Sequence, residues 1–119
     1  MSIALTPNDM NTMIENIIRD NAVVLFMKGE PKIPMCGFSG FVVQVLQKLS
    51  VPFFGVNVLS DPELRQGIKD FTRWPTIPQL YIHGEFIGGA DIVKEMFENG
   101  DLLALLTEKK LVSEMPTAS

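Results

Sequence analysis

The sequence predicts an α/β domain with a four-stranded mixed sheet flanked by helices. Short apolar runs rich in β-formers alternate with segments of helical periodicity, the first two runs are joined through a helix, and the last two meet at a tight turn. A strand, a helix and a second strand in succession make a parallel βαβ unit, whereas a hairpin adds antiparallel pairing. The predicted order is αβαβαββαα.

Each element has a local cause. Thr6-Pro7-Asn8 is a helix entry, and Met10, Met13, Ile14, Ile17 and Ile18 follow at helical spacing. AVVLFM, residues 22–27, is a continuous apolar run suited to a strand buried on both faces. Phe38, Phe41, Val42, Val45, Leu46 and Leu49 mark one stripe of a second helix that ends near Ser50. Pro52 introduces a second strand in FFGVNV. Asp61 as N-cap, Pro62 at the first helical position and Glu63 in the first turn open a third helix over 61–71. PQLYIHGEFIGG reads as two strands meeting at His83-Gly84-Glu85. Beyond Asp91, IVKEMFENG and LLALLTEKK carry helical stripes separated by Gly100, a residue suited to a helix C′ position.

With 119 residues, 46% of them hydrophobic, the chain has one core, expected over residues 1–108, with 109–119 as a flexible C-terminal tail. A single cysteine excludes an internal disulfide and points to a reducing compartment, the cytoplasm or an organelle matrix. The opening residues lack a basic segment followed by a long apolar run, and no apolar run approaches a bilayer span, so the expectation is a soluble protein, mature as written and without a membrane role. A net charge of -4 with scattered lysines and arginines argues against nucleic-acid binding.

The chemistry centres on KGEPKIPMCGFSGF, Lys28 to Phe41. Cys36 stands where a C-x-x-C motif has its first sulfur, and Ser39 stands in place of the second. A cysteine that follows a proline-rich loop and opens a helix lies near unpaired backbone N–H groups, which favour the thiolate, and Lys28 adds positive charge if the loop folds back. Two readings fit, a reactive thiolate or a small buried hydrophobe, and the Pro- and Gly-rich setting favours the first. His83, the only histidine, sits in a predicted turn and reads as a surface residue, and the seven methionines read as core filling.

MKGEPKIPMCGFS, WPTIPQLYI and GGADIV resemble, in order and spacing, the three signature segments of the monothiol glutaredoxins of the Cys-Gly-Phe-Ser type. The resemblance covers roughly residues 8 to 108 and implies a thioredoxin-like fold. It implies glutathione as ligand, with Lys28 and Arg65 reaching the glycine carboxylate, Trp74 at the rim, Ile77 pairing through its backbone ahead of a cis Pro78, and Gly89, Ala90 and Asp91 holding the γ-glutamyl end. Simpler roles exist for several of these: a strand-end lysine at 28, a solvated helix residue at 65, an ordinary N-cap at 91. Gly88 and Gly89 suit a tight turn close to a ligand. Relatives often carry cysteine or serine at the position of Ala90, and alanine leaves only a backbone contact there.

With serine at position 39, Cys36 cannot close a local disulfide, so a redox cycle must borrow a thiol, and a [2Fe-2S] cluster, which takes four ligands, must borrow three. The resemblance implies a cluster bridged in a homodimer by Cys36 of each chain and two glutathiones, passed on to apo iron-sulfur acceptor proteins, with a BolA-like protein as a further partner. The alternative is an enzyme, a glutathione-dependent thiol-disulfide oxidoreductase with Cys36 as catalytic nucleophile and weak activity at most.

Overall fold

In the computed structural model, which describes residues 7–112, the apolar run folds as β1, Val23–Met27, with all five side chains buried. It follows α1, Pro7–Asp20, and precedes two short strands, β2 at Gly29–Glu30 and β3 at Ile33–Pro34, paired antiparallel in the loop before the cysteine. Then come α2, Gly37–Lys48; β4, Phe54–Asn57; a single 3-10 turn, Val58–Ser60; and α3, Pro62–Thr72. The chain closes with β5, Gln79–Ile82, β6, Glu85–Gly88, α4, Ala90–Glu98, and α5, Asp101–Glu108.

The main sheet has the order β4-β1-β5-β6. β1 pairs parallel with β4 and antiparallel with β5, and β6 pairs antiparallel with β5, which is the mixed sheet expected. Alternation along β1 divides the core. Val23, Leu25 and Met27 pack with residues of α2, α4 and α5, including Leu46, Val93 and Leu102. Val24 and Phe26 pack with α1 and α3 through Ile14, Ile18 and Ile68.

The helix and turn signals act as their chemistry requires. Asp61 caps α3, its carboxylate accepting from the N–H of Glu63 at 3.0 Å and of Leu64 at 3.2 Å. His83 (φ 51°) and Gly84 (φ 80°) both take the left-handed conformation of a type I′ hairpin turn. Gly100 (φ 87°) follows the C-cap Asn99 of α4, as a C′ glycine does. Of the helix entry at Thr6-Pro7-Asn8, Thr6 lies outside the described residues.

Two expectations change. Phe38 does not join the buried stripe of α2 but is 64% exposed on the cleft, because Ser39, Val42, Val45 and Leu46 take the buried face of the helix. At the other end, Leu111 donates its N–H to Leu106 at 2.9 Å and packs with Val112 against the core, so the ordered packing runs past residue 108; residues 113–119 lie outside the description. No helix among the described residues is long and apolar enough to cross a membrane.

Candidate functional site

Beside the cysteine lies a cleft of about 470 Å³, built where the end of β1, the start of α2, the loop before β5 and the start of α4 converge. Cys36 is the N-cap residue of α2 in extended conformation (φ -151°, ψ 135°), and its carbonyl accepts from the N–H of Gly40 at 2.9 Å. The thiol forms no capping hydrogen bond, yet its pKa is held below the ordinary thiol value. The Ser39 backbone N–H contributes most; partial desolvation opposes it; the Phe38 N–H, the Lys28 charge and the Ser39 hydroxyl add further stabilisation of the anion. The sulfur is partly exposed, so it can react.

Ser39 has a structural task of its own. It is fully buried, and its Oγ accepts from the Lys28 N–H at 3.0 Å. The Lys28 carbonyl accepts from the Met35 N–H at 2.9 Å, and the next N–H, that of Gly29, donates to Asn57 Oδ1 at 3.0 Å. Gly29 (φ 93°) tolerates no side chain, since a Cβ there would stand 2.5 Å from the Met35 nitrogen and 2.6 Å from the Ile33 oxygen. Lys28 therefore lies close to the sulfur, on the cleft wall.

Opposite stands the segment before β5. Trp74, Ile77 and Pro78 line the cleft, and the Ile77–Pro78 peptide bond is cis. β5 begins at Gln79, so the Ile77 backbone lies beyond the end of the ladder. The fully buried Gln79 side chain fixes this segment, its Nε2 donating to the carbonyls of Trp74 and Thr76, each at 3.1 Å. The Trp74 ring packs against Phe86 at 5.6 Å, and its indole N–H is buried without a hydrogen-bond partner.

Gly89, Ala90 and Asp91 complete the wall at the start of α4. Gly88 (φ 152°) makes the turn that brings the helix in. The N-cap is Gly89, not Asp91, which lies exposed in the first turn with no capping role. The first N–H groups of α4 are thus free of side-chain caps, a setting that suits a carboxylate, and the Asp91 carboxylate suits an amino group.

Of the residues matched to the ligand from sequence, Arg65 stands outside this lining, as does Gly88, which shapes the turn before it. Arg65 lies on α3 one turn before Lys69, and Lys69 is the α3 residue that borders the cleft. Arg19–Asp20 is the one ion pair found among the described residues, and neither Arg65 nor Lys69 takes part in it. Phe38, Lys69 and Thr76 are lining residues that the sequence reading did not select. Lys69 carried a faint signal, its i, i+4 relation to Arg65. Met35, expected to fill the core, is 66% exposed beside Cys36. His83 is exposed on the hairpin turn, and no group of three or more His, Cys, Asp or Glu side chains among the described residues is arranged to hold a metal.

The sequence model of the glutaredoxin family matches residues 23–87. The probable monothiol glutaredoxin 2 of Rickettsia typhi is 56% identical over 100 residues, 83% of this chain and 90% of that protein. The solution structure of reduced poplar apo GrxS14 superposes with a TM-score of 0.76 at 47% identity, covering 89% of this chain and 96% of that one. A truncated Trypanosoma brucei 1-C-Grx1 gives 0.78 at 38% identity, covering 95% and 99%. With one partly exposed thiolate-favouring cysteine, a buried serine three residues on and a four-stranded mixed sheet behind them, this chain belongs to the glutaredoxin family, as a monothiol member of the Cys-Gly-Phe-Ser type with a thioredoxin-like fold.

Proposed function

We propose that this protein carries a labile [2Fe-2S] cluster, held between two copies by Cys36 of each and by the thiols of two glutathiones, and delivers it to apo iron-sulfur proteins. One observation supports this above others: a single sulfur, favoured as thiolate, opens onto a cleft lined by two lysines, a backbone stretch beyond the sheet ladder and an uncapped helix start. Lys28 and Lys69 offer cations to the glycine carboxylate, the backbone at Ile77 offers an extended edge, and the start of α4 with Asp91 suits the γ-glutamyl end. Arg65, one turn from Lys69, contributes charge from outside the lining.

The donor set fits the cargo. One thiolate per chain supplies half the ligands in a dimer, and external thiols must supply the rest. Noncovalently held ligands make release easy, which is what a carrier needs. A BolA-like protein in place of the second copy would have to bring the two ligands that this copy and its glutathione supply. The working compartment is a reducing one, the cytoplasm or an organelle matrix.

The test is anaerobic reconstitution with iron and sulfide, with and without glutathione, followed by visible circular dichroism and size exclusion on wild type and Cys36→Ser. A glutathione-dependent chromophore eluting as a dimer and absent from the variant is the expected result; a colourless monomer refutes the carrier. The depressed Cys36 pKa also favours a second reading, a monothiol oxidoreductase that removes glutathione from mixed disulfides. Turnover of a glutathionylated peptide by the colourless monomer would select it.

A further inference from the structure

We propose that Asn57 is a positioning residue for carboxylate binding in the cleft, acting through Lys28; this rests on the reading of Lys28 as the partner of glutathione's glycine carboxylate. Asn57 closes β4, and its side chain leaves the sheet to hold the loop that carries the cysteine. Its Oδ1 accepts from the Gly29 N–H at 3.0 Å and from the Leu59 N–H at 2.9 Å. Its own carbonyl accepts from Ser60 Oγ at 2.9 Å, so the residue is fixed by the 3-10 turn that follows it.

The backbone around Lys28 is thereby held at three points. Ser39 Oγ accepts from the Lys28 N–H, the Lys28 carbonyl accepts from the Met35 N–H, and Asn57 Oδ1 accepts from the next N–H along. The first two come from the cysteine loop and α2, and would move with them. Asn57 Oδ1 ties this stretch by a side-chain hydrogen bond to the end of β4, beside the contact of Pro31 with Gly55 on the same strand. Beside it, Gly29 has the conformational freedom of a glycine at φ 93°, so without that acceptor the peptide can turn. Lys28 carries its charge on a flexible four-carbon stem, and its reach into the cleft depends on where that stem is rooted. A charge-assisted hydrogen bond weakens steeply with misalignment.

Binding of reduced glutathione to the apo protein, followed by NMR titration, tests the proposal in wild type, Asn57→Ala, Asn57→Asp, Lys28→Ala and the Asn57→Ala/Lys28→Ala double variant. Gly29 amide exchange and thermal unfolding are measured alongside. Asn57→Ala is expected to weaken binding about three- to tenfold and to strip protection from the Gly29 amide. Asn57→Asp keeps an acceptor and restores most of both. In the Lys28→Ala background, Asn57→Ala adds no further loss, because the residue it positions is gone. Should Asn57→Ala not fold, Asn57→Ser serves, since its short hydroxyl can still accept from Leu59 but does not reach Gly29. Equal weakening in both backgrounds, or no weakening by Asn57→Ala in the wild-type background, overturns the role of Asn57 while leaving the glutathione reading intact. A wild type that takes up no glutathione, or a Lys28→Ala that binds as well as wild type, overturns the reading of the cleft and this inference with it.

Discussion

α3 starts on Asp61, whose carboxylate accepts from the N–H groups of Glu63 and Leu64; α5 has a glycine N-cap, Gly100, but the preceding Asn99 supplies an acceptor, its Oδ1 accepting from the Asp101 N–H at 2.9 Å. α2 starts on Cys36, which forms no capping hydrogen bond, and α4 starts on Gly89, which has no side chain to cap with. The two open helix ends border the cleft, while α3 reaches it only through Lys69, farther along. Closed ends serve the fold. Open ends keep their backbone donors available for an anion, a thiolate at α2 and a ligand carboxylate at α4.

The largest effect comes from closing the open end. Cys36→Asp gives α2 the cap that α3 already has, and should abolish thiol alkylation and cluster uptake while adding about 1 kcal/mol to stability in urea denaturation. A variant less stable than wild type would break the comparison, because that end would then have no unmet donors. The mirror change is Asp61→Ala, expected to lose about 0.5–2 kcal/mol with no change in the alkylation rate of Cys36; altered alkylation would mean the two ends are coupled.

The pH profile of Cys36 alkylation sharpens the comparison further. Its midpoint should lie below that of the same thiol in the urea-unfolded chain. Since the folded pKa is the lower one, the linked stability is fully present above the unfolded pKa and is lost as pH falls through the folded value. The smallest effect is that of Lys28→Gln. The lysine charge ranks behind the Ser39 and Phe38 N–H groups, so its removal should raise the midpoint by only a fraction of the total depression. Recovery of the full unperturbed value in that variant would transfer the cause from the helix end to the lysine.

Much of the scaffold was legible because its signals are local. The apolar run of β1, the Asp61-Pro62 helix start and the His83-Gly84 turn each act within a few residues, and each formed where its chemistry requires. The β2–β3 pair was not legible, because two-residue strands carry no periodicity. Phe38 faces the cleft instead of the core, because hydrophobic periodicity does not tell an apolar side chain that lines a site from one that fills the core, and the polar Ser39 takes the buried place in that turn. Asn57 and Gln79 escaped for another reason: each acts through a pair of hydrogen bonds to peptide groups outside its own strand, and neither residue type advertises such partners. At the site, the position and environment of Cys36 followed from the residues themselves, whereas the other cleft residues came from family likeness.

The buried Gln79 amide has a kinetic consequence. Because one side chain joins the Trp74 and Thr76 carbonyls to the first residue of a central strand, that wall of the cleft is built before any ligand arrives. No ordering of this segment has to accompany binding, so a small anionic ligand should associate at a rate set by diffusion and charge, with residence time alone distinguishing a tight ligand from a weak one.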